Sequence, residues 1–316
     1  MGGVPNPVKR PTPRGRALFN EALIPRKMAM VSPEAACYIP LSPVFCGEYA
    51  LADVKITTWN INSVRLRIES VARLAKEVSP DVICLQEIKV MTELFPDDAI
   101  AAMGYPHQVV SGMKAYNGVA ILSKKPLKNK GQQDWVGKSD ARHVHATLPG
   151  NIDLHNFYVP AGGEIPDPKQ NDKFDHKLKF VQALTRWGKE RQDPRAKRIL
   201  VGDLNIAPLE TDVWSHKRLL KVVSHTPVEV ELFERMRKSG PWTDAVRHII
   251  PPEEQLYSWW SYRSKDWSAA DKGRRLDHIW VTSPLVPKIK AAEIHRDIRG
   301  WEKASDHAPV TVTLSV

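Results

Sequence analysis

The sequence predicts an α/β sandwich, built as a single domain over residues 54–316. Three observations lead there. Several apolar alternating segments follow one another with no helix between them, which implies antiparallel pairing. Three long helical patterns fall between groups of strands rather than after each strand, which argues against a parallel doubly wound sheet. Five short polar clusters stand at strand edges: Trp59-Asn60-Ile61-Asn62, Gln86-Glu87, Asp203-Leu204-Asn205, Asp277-His278 and Ser305-Asp306-His307. The end of one antiparallel strand lies beside the start of the next, so all five can meet on one rim.

The bulk figures set bounds. A chain of 316 residues with 42% hydrophobic content can bury a substantial core. No apolar run approaches the roughly 18 residues of a membrane span. The net charge of +10 points to a polyanionic partner, nucleic acid or an anionic membrane surface; a lysine-rich solvated surface is the plain alternative. The three cysteines, Cys37, Cys46 and Cys84, stand at no metal-binding spacing and make no disulfide framework, which suits a reducing compartment.

Residues 1–53 carry eight prolines and no sustained period, and only +2 of the charge. They read as a disordered N-terminal extension, with an over-long reading frame or a transit peptide around Lys9–Lys27 as alternatives. The basic character therefore belongs to the remainder of the chain. There the strands expected in order are Val54–Thr58, Asp81–Leu85, Gly118–Ser123, His143–Leu148, Ile152–Val159, Arg198–Gly202, Ile279–Thr282, Ile289–Ile298 and Ala308–Leu314. The helices are Val64–Val78, with Val71, Leu74, Ala75 and Val78 on one stripe, Phe174–Arg191, and Val228–Lys238, closed by Gly240-Pro241.

The clusters hold groups suited to a hard cation and a phosphate ester. Glu87 directly follows a buried strand, and carboxylate oxygen is what Mg²⁺ prefers. Asp203 and Asn205 are two apart and in extended backbone would point the same way, as would Asn60 and Asn62. Taken singly, each is as well explained by an Asx turn or a helix cap. His307 is the best of eleven histidines, with Asp277 as a carboxylate that would fix its tautomer. Tyr158 ends a strand and precedes Pro160-Ala161-Gly162-Gly163, a turn able to approach a substrate closely. The segment Ser258–Trp267 interleaves aromatic, hydroxyl and basic groups as a nucleic-acid groove does. Period 2 sends Trp259 and Trp260 to opposite faces, so one of them belongs to the core.

Eight strings in order resemble the exonuclease III family of abasic-site endonucleases, within the endonuclease/exonuclease/phosphatase superfamily. They are Trp59–Asn62, Leu85–Lys89, Tyr116–Ala120, Tyr158–Pro160, Gly202–Asn205, Ser258–Arg263, Arg275–Asp277 and Ser305–Pro309. The resemblance implies a four-layered α/β sandwich of two mixed sheets packed face to face with helices outside. It implies Mg²⁺, with Mn²⁺ as a substitute, held by Glu87 with Asn60 and Asp306, and an optional second metal at Asp203, Asn205 and His307. Tyr158, Asp203, Asn205, Asp277 and His307 would be catalytic. Lys89, Tyr116, Asn117, Arg142, Trp259, Arg263 and Trp267 would face DNA, with Trp259 lining an apolar pocket for a flipped baseless sugar that excludes an intact base.

The implied partner is double-stranded DNA with abasic sites or blocked 3′ ends, acted on by a monomer with no membrane attachment. The implied location is the nucleoid-associated cytoplasm of a bacterium, or the nucleus or mitochondrion of a eukaryote. The expected activity is Mg²⁺-dependent incision 5′ to abasic sites in base-excision repair, with 3′-5′ exonuclease or end-trimming activity. Two departures concern substrate choice: Ala161 stands where well-known members carry an amide, and Tyr262–Asp277 is one residue longer than in the bacterial prototype. Other readings are a different superfamily phosphodiesterase or phosphatase, acting on 3′-phosphates, inositol phosphates or sphingolipids, and a non-catalytic DNA-binding module.

Overall fold

The computed structural model describes residues 53–316. The proline-rich extension, with Cys37 and Cys46, lies outside the described residues except for Asp53, which opens the first strand. In chain order the elements are β1 (Asp53–Asn60), α1 (Ile68–Glu77), β2 (Val82–Gln86), α2 (Asp97–Ala102), β3 (His107–Ser111), β4 (Val119–Ser123), β5 (Lys128–Gly131), β6 (His143–Leu148), β7 (Ile152–Tyr158) and α3 (Asp172–Glu190). They continue with β8 (Arg198–Asp203), α4 (His216–Leu219), α5 (Pro227–Lys238), β9 (Trp242–Asp244), α6 (Ala245–Ile249), β10 (Trp259–Trp260), α7 (Trp267–Ala270), β11 (Gly273–Arg274), β12 (Asp277–Thr282), β13 (Ile289–Ile294) and β14 (Val310–Ser315).

Two six-stranded sheets form, in the orders β13-β14-β1-β2-β4-β3 and β5-β6-β7-β8-β12-β9. Each holds one parallel pair, β1 with β2 and β7 with β8. A parallel neighbour needs a crossover, and α1 and α3 supply the two. The inner faces bury one cluster: Ile56, Val82, Ile121 and Val312 from the first sheet with Val144, Leu154, Ile199 and Ile279 from the second. Each such side chain stabilises the fold by about 1.5–3 kcal/mol. Outside, Val71 and Leu74 of α1 cover Ile83 and Leu85, while Phe174 and Phe180 of α3 and Phe233 of α5 cover Leu200 and Trp280. The result is the expected four-layered sandwich of mixed sheets.

Strand register builds the rim. In the first sheet Asn60 is the partner of Gln86, and Thr58 is opposite Val310, where β14 begins. In the second sheet Asp203 is the partner of both Tyr158 and Asp277. Gly202 is required beside β7, since a Cβ there would lie 1.9 Å from the Phe157 carbonyl oxygen. That close approach is what the glycine permits.

Several boundaries differ from expectation for identifiable reasons. Helix α1 starts at Ile68, not Val64, because Asn62 and Ser63 take left-handed φ. The chain then runs along the next loop, with Ser63 N bonded to Glu87 O and Val64 N to Ile88 O. β13 ends at Ile294, not Ile298, because its partner β14 begins at Val310 and is preceded by Pro309, which has no N–H; residues Arg296–Gly300 turn into a short 3₁₀ helix. Trp59, Asn60, Asp203, Asp277 and His278 lie within strands rather than just beyond them. Cys84 is fully buried within β2. Among the described residues no helix is long and apolar enough to cross a membrane.

Candidate active site

The five clusters meet where the two sheets share a rim. Asn60, on β1, donates through Nδ2 to Glu87 Oε1 and Asp203 Oδ2, both at 2.9 Å, and so ties the two sheets together. Tyr158 donates its hydroxyl to Glu87 Oε1 at 2.7 Å. His307 Nδ1 lies 2.8 Å from Asp277 Oδ2, and its Nε2 lies 3.7 Å from Asp203 Oδ2. Ser258 donates to the same Asp277 oxygen at 2.6 Å. Asp306 accepts from Asn62 Nδ2 at 3.2 Å and from Trp259 Nε1 at 2.9 Å. The structure thus brings together Asn60, Glu87, Tyr158, Asp203, Asp277, Asp306 and His307.

The pairs read as sharing an extended face do so differently. Asn62 and Asn205 have left-handed φ of 47° and 53°, so neither is extended. Each turns back: Asn62 N bonds Asn60 Oδ1, and Asn205 N bonds Asp203 Oδ1. Asn205 then donates its side chain to Val159 O at 2.9 Å. Glu87, Lys89 and Asn117 are also left-handed. Backbone strain of this kind concentrates where surrounding structure over-determines a functional arrangement.

Electrostatics follow from burial and neighbours. Burial pushes the Asp203 carboxyl up to about 7, with His307 opposing and Asp277 and Glu87 adding to the rise. Burial works against the His307 cation, but Asp277 and Asp203 dominate and raise it to about 10. Burial raises Glu87 as well, yet the Lys89 ammonium, 2.7 Å from Oε2, and the bonds from Asn60 and Tyr158 hold it below the usual carboxylate range. Tyr158 is driven well above its ordinary value by burial and by the Glu87 and Asp203 charges, so it stays a donor.

The donor set fits a divalent cation. Oxygen and nitrogen atoms of Asp203, Asp277 and His307 lie within 4.8 Å of one another, all buried, and Glu87 and Asp306 add two carboxylates on the same rim. Hard cations take such oxygens, and Asp277 Oδ1 is buried with no partner. Asn60 is turned otherwise than the expected ligand role requires: its nitrogen faces the carboxylates and its oxygen is engaged by Asn62 N. It would coordinate only after its amide turned over.

The residues expected to face DNA surround this centre unequally. Tyr116 is 70% exposed at the rim. Asn117 donates to Asp140 O at 3.0 Å. Arg142 bonds Asp140 and lays its guanidinium 4.8 Å from the Tyr158 ring, shaping the site from behind. Trp260 is the core member of its pair and Trp259 is half-buried. Arg263 is exposed and paired with Glu164 at 3.0 Å, and Trp267 packs edge-on against Trp260 at 5.3 Å. Trp259, Trp214, Trp267, Lys272 and Arg274 line a cleft of about 730 Å³. Its cations make it less apolar than expected. Sequence reasoning did not single out Trp214, Lys272, Arg274 or the Asp277 partner Ser258; the last lies inside a quoted string, and the others carried no motif signal. It also missed Lys177, a fully buried lysine whose helical spacing alone would place it among apolar neighbours.

A polar rim of this composition on a four-layered sandwich defines a phosphodiesterase-type site, and comparison with known proteins agrees. The model of the endonuclease/exonuclease/phosphatase family matches residues 57–307. The chain is 32% identical over 272 residues to exodeoxyribonuclease III of Haemophilus influenzae, covering 81% of this chain and 98% of that protein. It is 30% identical over 282 residues to the DNA repair nuclease APEX1 of Danio rerio, covering 84% of this chain and 83% of that one. An AP endonuclease structure from Archaeoglobus fulgidus superposes with a TM-score of 0.77 at 33% identity, covering 83% of this chain and 100% of the other. The chain therefore belongs to the endonuclease/exonuclease/phosphatase family, in its exonuclease III and AP endonuclease branch, and is a phosphodiester hydrolase.

Proposed function

We propose that this protein is a Mg²⁺-dependent repair nuclease that incises DNA 5′ to abasic sites and trims 3′ ends in base-excision repair. The observation that carries the reading is the continuous chain Tyr158–Glu87–Asn60–Asp203–His307–Asp277, bordered by Trp259. Relatives bearing the names exodeoxyribonuclease, AP endonuclease and DNA repair nuclease support it, as does the +10 charge, which suits a polyanionic partner. The protein would act as a monomer wherever the DNA of its cell resides.

Glu87 and Asp306 would hold the metal, with Asn60 joining once its amide turns. When bound, Mg²⁺ would neutralise charge developing on the phosphoryl and leaving oxygens. Ionised Asp203 takes the proton of the attacking water, whose oxygen forms the new bond to phosphorus as the bond to O3′ breaks. The proton taken up by Asp203 passes through solvent to the departing O3′, which ends as a hydroxyl, and the phosphate stays on the baseless sugar. His307, held as a cation by Asp277, donates to a non-bridging oxygen, and the Tyr158 hydroxyl supports the same charge. Asn205, held by Asp203 Oδ1 at its N–H and by Val159 O at its amide, would help position the water and the phosphate. A second cation, when bound, would take the buried cluster of Asp203, Asp277 and His307, whose donor atoms lie within 4.8 Å of one another.

The test is a duplex with a single natural abasic site, incubated with and without chelator. Chelator-sensitive nicking that leaves a 3′-hydroxyl is expected. Binding without cleavage would identify a DNA-binding module, and indifference to DNA would point to another phosphate ester.

A further inference from the structure

Of the arginines at the cleft, Arg263 pairs with Glu164 at 3.0 Å and Arg296 with Asp271 at 3.0 Å. Among the described residues Arg218 and Arg299 have no carboxylate partner and lie over the rings of Trp214 and Trp267. Arg274 is the unpaired arginine tied to the catalytic centre. It is the strand partner of Trp259 and lays its guanidinium 5.1 Å from the centre of that ring. Its Nη1 donates to Val223 O at 3.0 Å and to Ser224 Oγ at 2.9 Å, both neutral acceptors. Among the described residues no carboxylate forms a salt bridge with it, and Nη2 has no hydrogen-bond partner. The nearby Glu229 is already engaged by Lys177, Ser224 and Thr226. A half-buried guanidinium, held in place by neutral groups and lacking a counter-charge, is built to receive an anion.

The position says which anion. On one side Trp259 gives its Nε1–H to Asp306, and its backbone bridges His307; on the other, Arg274 covers its ring. We infer that Arg274 binds the DNA phosphate next along the strand from the one cleaved, so that Trp259 lies between two phosphate sites and the nucleotide between them faces its indole. This deepens the proposed function and rests on it. A strand whose reacting phosphate sits at Asp306 and His307 passes Trp259 and brings its neighbouring phosphate to the free edge of Arg274. The substrate feature read is a second phosphodiester flanking the scissile one, which a mononucleotide ester lacks.

The experiment measures affinity of the full chain for an abasic duplex in chelator, across a range of salt concentrations, for the wild type, Arg274→Gln and Arg274→Lys. Each neutralised phosphate contributes about 0.9 to the slope of log K against log salt. Arg274→Gln should lower that slope by about one contact and weaken binding about tenfold at moderate salt, while Arg274→Lys should recover most of the slope. An Arg274→Gln slope equal to that of the wild type overturns the inference, even if affinity falls, because the residue would then only brace the Val223–Ser224 loop. A wild type with no salt-dependent DNA binding would instead overturn the nuclease reading itself.

Discussion

His307 Nδ1 lies 2.8 Å from Asp277 Oδ2, with both side chains buried beneath the rim and the other Asp277 oxygen unpartnered. The pair explains how a histidine inside a protein carries a positive charge: burial opposes the cation, and Asp277 with Asp203 overcomes it, raising the group to about 10. Replacing Asp277 by Asn removes the foremost of the anions around His307 while keeping the shape. His307 should then titrate nearer its ordinary value of about 6.5, and kcat should fall on the order of 10²-fold. The pH–rate profile distinguishes this from general damage. Its alkaline limb should move down by several units, and an unmoved limb would show that Asp277 does not maintain the charge.

Asp203 predicts an acid limb. Burial first, and then Asp277 and Glu87, lift it to about 7 against the attraction of His307, so cleavage should decline below neutrality as the base protonates; a bound cation would draw the limb lower. The same shift bears on stability. The folded value exceeds the ordinary one, so folding favours the protonated form. That contribution is full below about 3.8 and is lost as pH rises through about 7. Above that, an ionised buried carboxylate costs stability. Asp203→Asn should abolish incision yet raise stability at pH 8 by on the order of 2 kcal/mol, with little gain at pH 4. Denaturant melts at the two pH values check this; equal effects at both would remove the electrostatic explanation.

Glu87 predicts a metal phenotype. Its two oxygens are engaged by Asn60, Tyr158 and Lys89, so removing it strips the rim of its central acceptor. Glu87→Ala should raise the half-saturating Mg²⁺ concentration at least tenfold, on the scale at which metal-site partners act. Direct Mn²⁺ binding, followed by paramagnetic resonance of the free ion, should weaken in parallel. If both titrations matched the wild type, the cation would have to sit elsewhere.

Nine of the strands were legible because burial on one or both faces writes itself into apolar runs, whereas β3, β5, β9 and β11 are too short or too polar to show one. β6 follows its expected bounds, and β2, β7 and β8 shift by a residue or so. The convergence of the clusters was legible for a related reason: strand ends in register must share a rim, as Asp203, Tyr158 and Asp277 do. What the sequence concealed depends on backbone turns and on pairings distant in the chain. Nothing local shows that Asn62 and Asn205 adopt left-handed φ, since asparagine tolerates both conformations. Arg274 and Trp259 meet only once β10 and β11 pair, and α1 is delayed by hydrogen bonds to a loop more than twenty residues away. A period of 3.6 places Lys177 on the inner face of α3 but does not reveal that Glu229 waits there.

The outer face of the second sheet predicts how the enzyme fails in acid. His145 and His155 are cross-strand partners with rings stacked 5.4 Å apart, and His143 stacks on both and hydrogen-bonds His155 at 3.1 Å. Burial first, and then mutual repulsion, hold His143 well below its usual range and His155 at about 3. A depressed folded value means that the unfolded chain binds protons first. The stabilisation is therefore full above about 6.5 and is lost as pH falls towards 3. His155→Phe keeps a flat ring beside Trp187, 4.8 Å away, and should flatten the decline of melting temperature between pH 6.5 and 4. A variant as acid-labile as the wild type would shift the blame to the carboxylates.

Lys177 and Glu229, both wholly buried with Nζ 2.5 Å from Oε1, hold three loops of the site together. The ammonium also donates to Asn205 O at 2.7 Å and to Ala161 O at 3.3 Å, while Glu229 accepts from Ser224 N and from Thr226. Burial lowers the lysine, and Glu229 opposes that. Removing one partner of such a pair strands the other, at roughly 3–5 kcal/mol. Lys177→Met should therefore be strongly destabilised, whereas Lys177→Met with Glu229→Gln should recover much of the loss, because no lone charge remains. Catalysis should not recover equally. Asn205 and Ala161 would still lack their common anchor, so the double variant should show a kcat reduced about tenfold or more with KM little changed, as misplacement of reacting groups produces. A double variant that regained both stability and kcat would show that the pair serves the fold alone.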